Sequence, residues 1–154
     1  MFDAALIFDP ATRRCDCALG DDGDLLIDET SVTPMLMSIG LDRRADPDDD
    51  LPQGVSSFLT PSSFTERRGS PCDALDADGD LAGSRCWLLD RAKQTETTRR
   101  LYAFWLAESL SWADRELGAP AEIAVWWARP QTLAWRVRID AEEIEAAQSL
   151  GASS

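Results

Sequence analysis

The residues best able to do chemistry fall into three groups. Cys15, Cys17, Cys72 and Cys86 are the four thiols of the chain, and four thiolates can close a structural zinc site. Such sites usually leave two or more residues between paired ligands. Cys15 and Cys17 leave one, and on a strand both would face the same way. Core or half-buried thiols suit that spacing better. The opening residues lack the basic-then-apolar pattern of a secretion signal, so reduced thiols are expected rather than a disulfide framework.

Asp76-Ala77-Asp78-Gly79-Asp80 sets carboxylates close enough to surround calcium. An EF-hand loop needs glycine sixth and glutamate twelfth, whereas counting from Asp76 places Gly79 fourth and Trp87 twelfth. An Asp-Gly turn, as at Asp22-Gly23, is the expectation. Glu108, Asp114 and Glu116 could act as acid and base in sugar cleavage only if they met across a cleft, and on a helix they read as solvated carboxylates. Histidine is absent, which removes Ser-His-Asp and Cys-His catalysis and the commonest base at neutral pH. Neither a nucleophile elbow nor a phosphate-cradling glycine loop is present. No catalytic residue, cofactor or metal is assigned, and the chain reads as a non-enzyme.

The elements that must position these groups follow from hydrophobic periodicity. Ala4 to Phe8, Arg14 to Leu19 and Leu25 to Ile27 predict a small antiparallel meander with polar turns. Thr30 or Thr33 can cap a helix carrying Val32, Met35, Leu36 and Ile39, with Pro34 in its first turn. Gln53 to Gly83 is rich in Ser, Pro, Gly and Asp and reads as a long loop. Arg85 to Lys93 predicts a short helix. Thr95 caps a longer one over Glu96 to Leu117, with Leu101, Tyr102, Trp105, Leu106, Leu110, Ala113 and Leu117 as its apolar face and Gly118 with Pro120 as its stop. Ala121 to Ala128 and Thr132 to Ile139 predict a hairpin. The alternation of Leu133, Trp135, Val137 and Ile139 against Arg136 and Arg138 marks a half-buried strand. Most tryptophans are expected in the core. Trp126 and Trp127 must face opposite ways, so one is a candidate interface residue. The fold class is α+β: a small antiparallel sheet, N-terminal meander plus C-terminal hairpin, packed on two or three helices with a long central loop. Residues 1–140 are expected to form a single domain, and 141–154 a short acidic C-terminal helix or tail.

Length and charge narrow the classes of partner. The chain has 154 residues and a net charge of −13. Residues 1–84 hold 18 acidic against 6 basic residues, and residues 85–154 hold 10 against 9. An acidic half would repel phosphate, so no nucleic-acid partner is expected. The apolar runs fall short of the roughly 20 residues that span a bilayer, so no membrane partner is expected either.

Three ordered landmarks carry a resemblance. They are the opening that ends in Asp21-Asp22-Gly23-Asp24-Leu25, the helix running into Asp42-Arg43-Arg44-Ala45-Asp46-Pro47-Asp48-Asp49-Asp50-Leu51-Pro52, and Gly83-Ser84-Arg85-Cys86-Trp87-Leu88-Leu89 with its continuation to Thr95. Together they resemble the gene product 46 family of Mu-like phages, which are baseplate proteins, over about residues 3 to 140. The helix-then-acid-Arg arrangement is also similar to the sheath-initiator family of T4-like tails. There, a Glu-Arg pair followed by a proline lies in the wedge core, and Asp42-Arg43 and Pro47 would take those places.

The resemblance implies a structural subunit of a contractile tail baseplate, in the virion or tail particle and assembled in the bacterial host cytoplasm. Its implied partners are the larger baseplate wedge protein, the tail tube and hub proteins, and the first sheath ring. The partner-binding residues expected on this reading are Asp42, Arg43, Arg44, Pro47, Arg67, Arg68, Arg85, Trp127, Arg136 and Arg138. Where the family shows Arg-Arg-Gly-Trp-Trp-Gly-Asp, this chain reads Arg67-Arg68-Gly69-Ser70-Pro71-Cys72-Asp73. Its end also departs from the family's aromatic terminal strand. If the sheath joins by strand addition, Leu133 to Ile139 is the strand expected to be used. The competing reading is a small acidic adaptor or inhibitor unrelated to tails, which neighbouring tail genes would argue against.

Overall fold

A computed structural model describes residues 3–9, 12, 14–52, 66–70, 73 and 81–151. Most of the expected loop, the Asp76 to Asp80 run and Cys72 lie outside the described residues. The class is α+β. The described strands form two short two-stranded ladders and one three-stranded sheet.

The N-terminal strands are β1 (Asp3–Ala4), β2 (Leu6–Asp9), β3 (Arg14–Cys17) and β4 (Ile27–Asp28). The opening segment is shared: β1 pairs with β4, and β2 pairs with β3. The third strand of the expected meander therefore runs beside the first, as well as bridging the second at Leu19 and Leu25. Helix α1 (Val32–Gly40) follows. Thr30 does help to start it, accepting from the Val32 amide at 3.2 Å, but the stronger anchor is Asp28, which accepts from the Thr33 amide at 3.0 Å. The Thr33 hydroxyl is turned to the sheet instead and accepts from the Leu6 amide.

A 3-10 helix spans Arg85–Leu89, and α2 spans Glu96–Ser109. Thr95 caps α2 as expected, its hydroxyl accepting from the Thr98 amide at 3.0 Å. The helix is shorter than the sequence suggests. It breaks at Leu110 and resumes as a wide π-type turn over Ala113–Leu117, ending on Gly118 in the left-handed region. The Ser109 hydroxyl donates back to the Leu106 carbonyl at the break, a bond that competes with the backbone ladder. The buried face is correspondingly narrow: Tyr102, Leu106, Leu110 and Ala113 are buried, while Leu101 and Leu117 are exposed.

The sheet consists of β5 (Glu122–Arg129), β6 (Thr132–Ile139) and β7 (Glu142–Ser149), with β6 in the middle. β7 corrects the expected helix or tail. Asp140, at φ 54°, turns the chain back after β6, and residues 142–149 then pair with the whole length of β6, from Ile139 opposite Glu142 to Thr132 opposite Ser149. Glu, Ala and Gln favour helix, but pairing and burial outweigh so small a preference. The inner face of the sheet supplies Val125, Leu133, Trp135, Val137 and Ile139 to a core shared with α1, the 3-10 helix and α2, and Leu150 closes it beyond β7.

Candidate functional site

The second and third landmarks pack directly on each other. Gly83 makes the approach possible: a Cβ there would lie 2.3 Å from the Leu41 carbonyl oxygen, and its φ of +86° suits glycine. Ser84 then forms a parallel bridge with Asp42, donating its amide to Leu41 and accepting from the Arg43 amide. The Ser84 hydroxyl donates to the Ile39 carbonyl, and the Trp87 indole donates to the Arg43 carbonyl at 2.8 Å. Behind this seam Ala45, Leu51, Trp87 and Leu88 make a second, smaller core.

Arg85 sits at the centre of the junction. Its guanidinium donates to both oxygens of Glu108, with contacts of 2.9–3.1 Å, and to Asp49 at 3.1 Å, and it also bonds Asp46. The side chain is only 10% exposed. Burial acts to lower its pKa, but Glu108 and Asp49 outweigh burial and raise it. One fork thus ties the 3-10 helix, α2 and the acidic loop together, a task for which guanidinium geometry is suited.

Arg68 lies over the Trp87 ring at 4.4 Å and pairs with Asp42 at 2.7 Å and Asp90 at 3.7 Å. Asp42 is thus tied to Arg68, distant in sequence, by an ion pair. Arg67 donates to the carbonyls of Asp46 and Pro47, and Arg44 donates to the Arg68 carbonyl at 3.3 Å. For the Arg43 side chain, no hydrogen bond or ion pair is formed among the described residues. It lines a cleft of about 340 Å³ with Glu108, Trp112, Arg115 and Glu116.

The remaining expected positions lie on the sheet, away from this junction. Trp127 faces inward and packs partly against the main core. Trp126 is the outward tryptophan, with the Arg136 guanidinium 5.9 Å from its ring centre. Arg136 also pairs with Glu145 at 2.7 Å and Glu143 at 3.5 Å. Arg138 donates to the Asp140 carbonyl.

Sequence reasoning missed a polar chain that locks β7 to the junction. Tyr102 donates to Gln148, Gln148 donates to Asp90, and Asp90 meets Arg68. These groups line a cleft of about 310 Å³. Burial raises the pKa of Asp90, although Arg68 opposes it. The Gly151 amide also donates to the Asp90 carbonyl. Only a sequence reading that placed 142–149 on the sheet could have found Gln148.

Glu108 is held by Arg85 and shares the Arg43 cleft with Glu116. Cys86 is buried and its pKa is pushed up to about 12, by desolvation first, so it stays a thiol at neutral pH. Cys15 and Cys17 are exposed on β3.

A family model described as phage protein GP46 matches residues 31–146. The chain belongs to this family. The GP46 match takes in both packed landmarks, the Arg85 junction and most of β7, and leaves out β1 to β4. It therefore starts later and ends later than the span expected from the resemblance. No curated protein and no solved structure matches the chain.

Proposed function

We propose that this GP46-family chain is a structural subunit of a contractile tail baseplate, the wedge component from which the sheath begins, and that it performs no reaction. Its partners on this reading are the larger wedge protein, the tube or hub, and the first sheath ring. The observation that carries the reading is the junction of Asp42 to Leu51 with Gly83 to Leu89. Its internal charges are spent on rigidity, while Arg43 remains on a cleft wall without an ion pair among the described residues. The Arg43 guanidinium can fork onto a partner's carboxylates or carbonyls.

The strand expected to join the sheath, Leu133 to Ile139, is the central strand and is paired on both sides. Strand addition would fall instead to an outer strand. The two outer strands are β5 and β7.

Co-expression with the larger wedge protein tests the proposal. A co-purifying complex is expected, and Arg43→Glu should abolish it while leaving the circular dichroism spectrum and melting curve unchanged. A wild-type chain that binds neither wedge protein, tube nor sheath would overturn it.

A further inference from the structure

Glu142 breaks the pattern of its own strand. It pairs opposite Ile139 and so shares the core-facing side of β7 with Ile144, Ala146 and Gln148, where it is half-buried. Gln148 on that side is satisfied by Tyr102 and Asp90. Glu142 makes no side-chain hydrogen bond or ion pair among the described residues, whereas Glu143 and Glu145, on the outer face, pair with Arg136. Withdrawing a carboxylate partly from water without a partner costs free energy, so the position needs a reason.

Glu142 lines a pocket of about 410 Å³ between the start of α1, the π-type turn and the β6–β7 turn. Leu117, 45% exposed, lines it together with Ile139 and Ala141. Glu29 and Asp140 line it beside Glu142, so that two segments distant in sequence bring three carboxylates to one recess. Their backbone is fixed. Asp28 accepts from the Thr30 and Thr33 amides on one side of the pocket, and Asp140 occupies the β6–β7 turn at φ 54° on the other. The side chains of Glu29 and Asp140 also lack an ion pair among the described residues, and no basic residue among these lines the pocket. Arg138, the nearest arginine in sequence, lies on the outer face of the sheet and donates to the Asp140 carbonyl.

We propose that this pocket receives a Lys or Arg side chain of a partner protein, its aliphatic stem against Leu117, Ile139 and Ala141 and its charged head among Glu29, Asp140 and Glu142. Long basic side chains divide in this way between apolar and polar surroundings, and unmatched carboxylates around an apolar recess select that sign of charge. Among the described residues no three acids or thiols are gathered so as to hold a metal ion, which favours an extended organic cation. A second copy of the chain, with its net charge of −13, would be repelled over the rest of its surface. The pocket shares no lining residue with the two clefts of the Arg85 junction, so the proposal is tested apart from the baseplate reading.

The full chain, isotope-labelled, is titrated with the end-blocked peptide Ala-Leu-Lys-Leu-Ala while its amide resonances are followed by NMR. A second peptide with norleucine for Lys keeps the aliphatic stem and removes the charge. The Lys peptide should shift amides around Glu29, Leu117 and Glu142 and bind about tenfold more tightly than the norleucine peptide, the order expected of one charge-assisted hydrogen bond. Added salt should narrow the difference. Glu142→Gln should remove most of it, while Glu143→Gln, on the outer face, should keep it. The comparison of the two peptides on the wild-type chain holds whatever the stability of either variant. Shifts that avoid the pocket, equal binding of the two peptides, a difference fully retained in Glu142→Gln, or a dimer in sedimentation that covers Leu117 would each overturn the proposal.

Discussion

Arg85 shows how a residue type can be legible before its role is. The sequence marks it through the Gly-Ser-Arg motif, but only the folded chain shows three carboxylates from two distant segments converging on it. Replacing it with Ala leaves Glu108 and Asp49 partly buried without their cation. Because the site retains some solvent, the cost should be about 3 kcal/mol, toward the low end for a broken buried pair. Urea denaturation measures it, and Arg85→Lys should recover only part of the loss because an ammonium cannot fork. Asp28 is not evident from sequence because, although Asp is a strong capping type, it lies five residues before the Thr33 amide it accepts from, outside the usual N-cap spacing. Burial works to raise its pKa, but hydrogen bonds from Thr30 and Thr33 prevail and hold it at about 2. A depressed carboxylate stabilises the fold above its unfolded pKa near 4, and that contribution is lost as pH falls toward about 2. Asp28→Ala should therefore cost about 1 kcal/mol at neutral pH, and the gap from wild type should close across that acid window in urea titrations.

At the scale of elements, strongly patterned segments were readable and context-dependent ones were not. The β6 alternation, the Thr95 cap and the Gly118 stop all lie where local periodicity or capping chemistry puts them. β7 was misread because Glu142 to Gln148 has helix-forming residues and little apolar contrast, and its strand state comes from pairing with β6. Leu150 gives that strand its inner anchor, at 2% exposure. Leu150→Ala should cost about 2–4 kcal/mol. A chain ending at Asp140 should be poorly soluble and lose cooperative melting, since Trp135 and Val137 would lose their cover. Wild-type-like melting of that truncation would contradict the role assigned to β7.

Across the whole molecule, the family match and the packing coincide from α1 to β7, and the N-terminal strands stand outside it. The Arg85 junction ties the 3-10 helix, α2 and the acidic loop of the matched region together. The sequence brought the two landmarks to notice but not their contact, because Leu41 and Ser84 are more than forty residues apart. The most direct test of the structural-subunit account is cryo-electron microscopy of the purified particle, with mass spectrometry of its components. The account predicts the chain at fixed stoichiometry in the baseplate, with the α1–Arg85 seam turned to the larger wedge protein. A particle with a complete baseplate from which the chain is absent would contradict it.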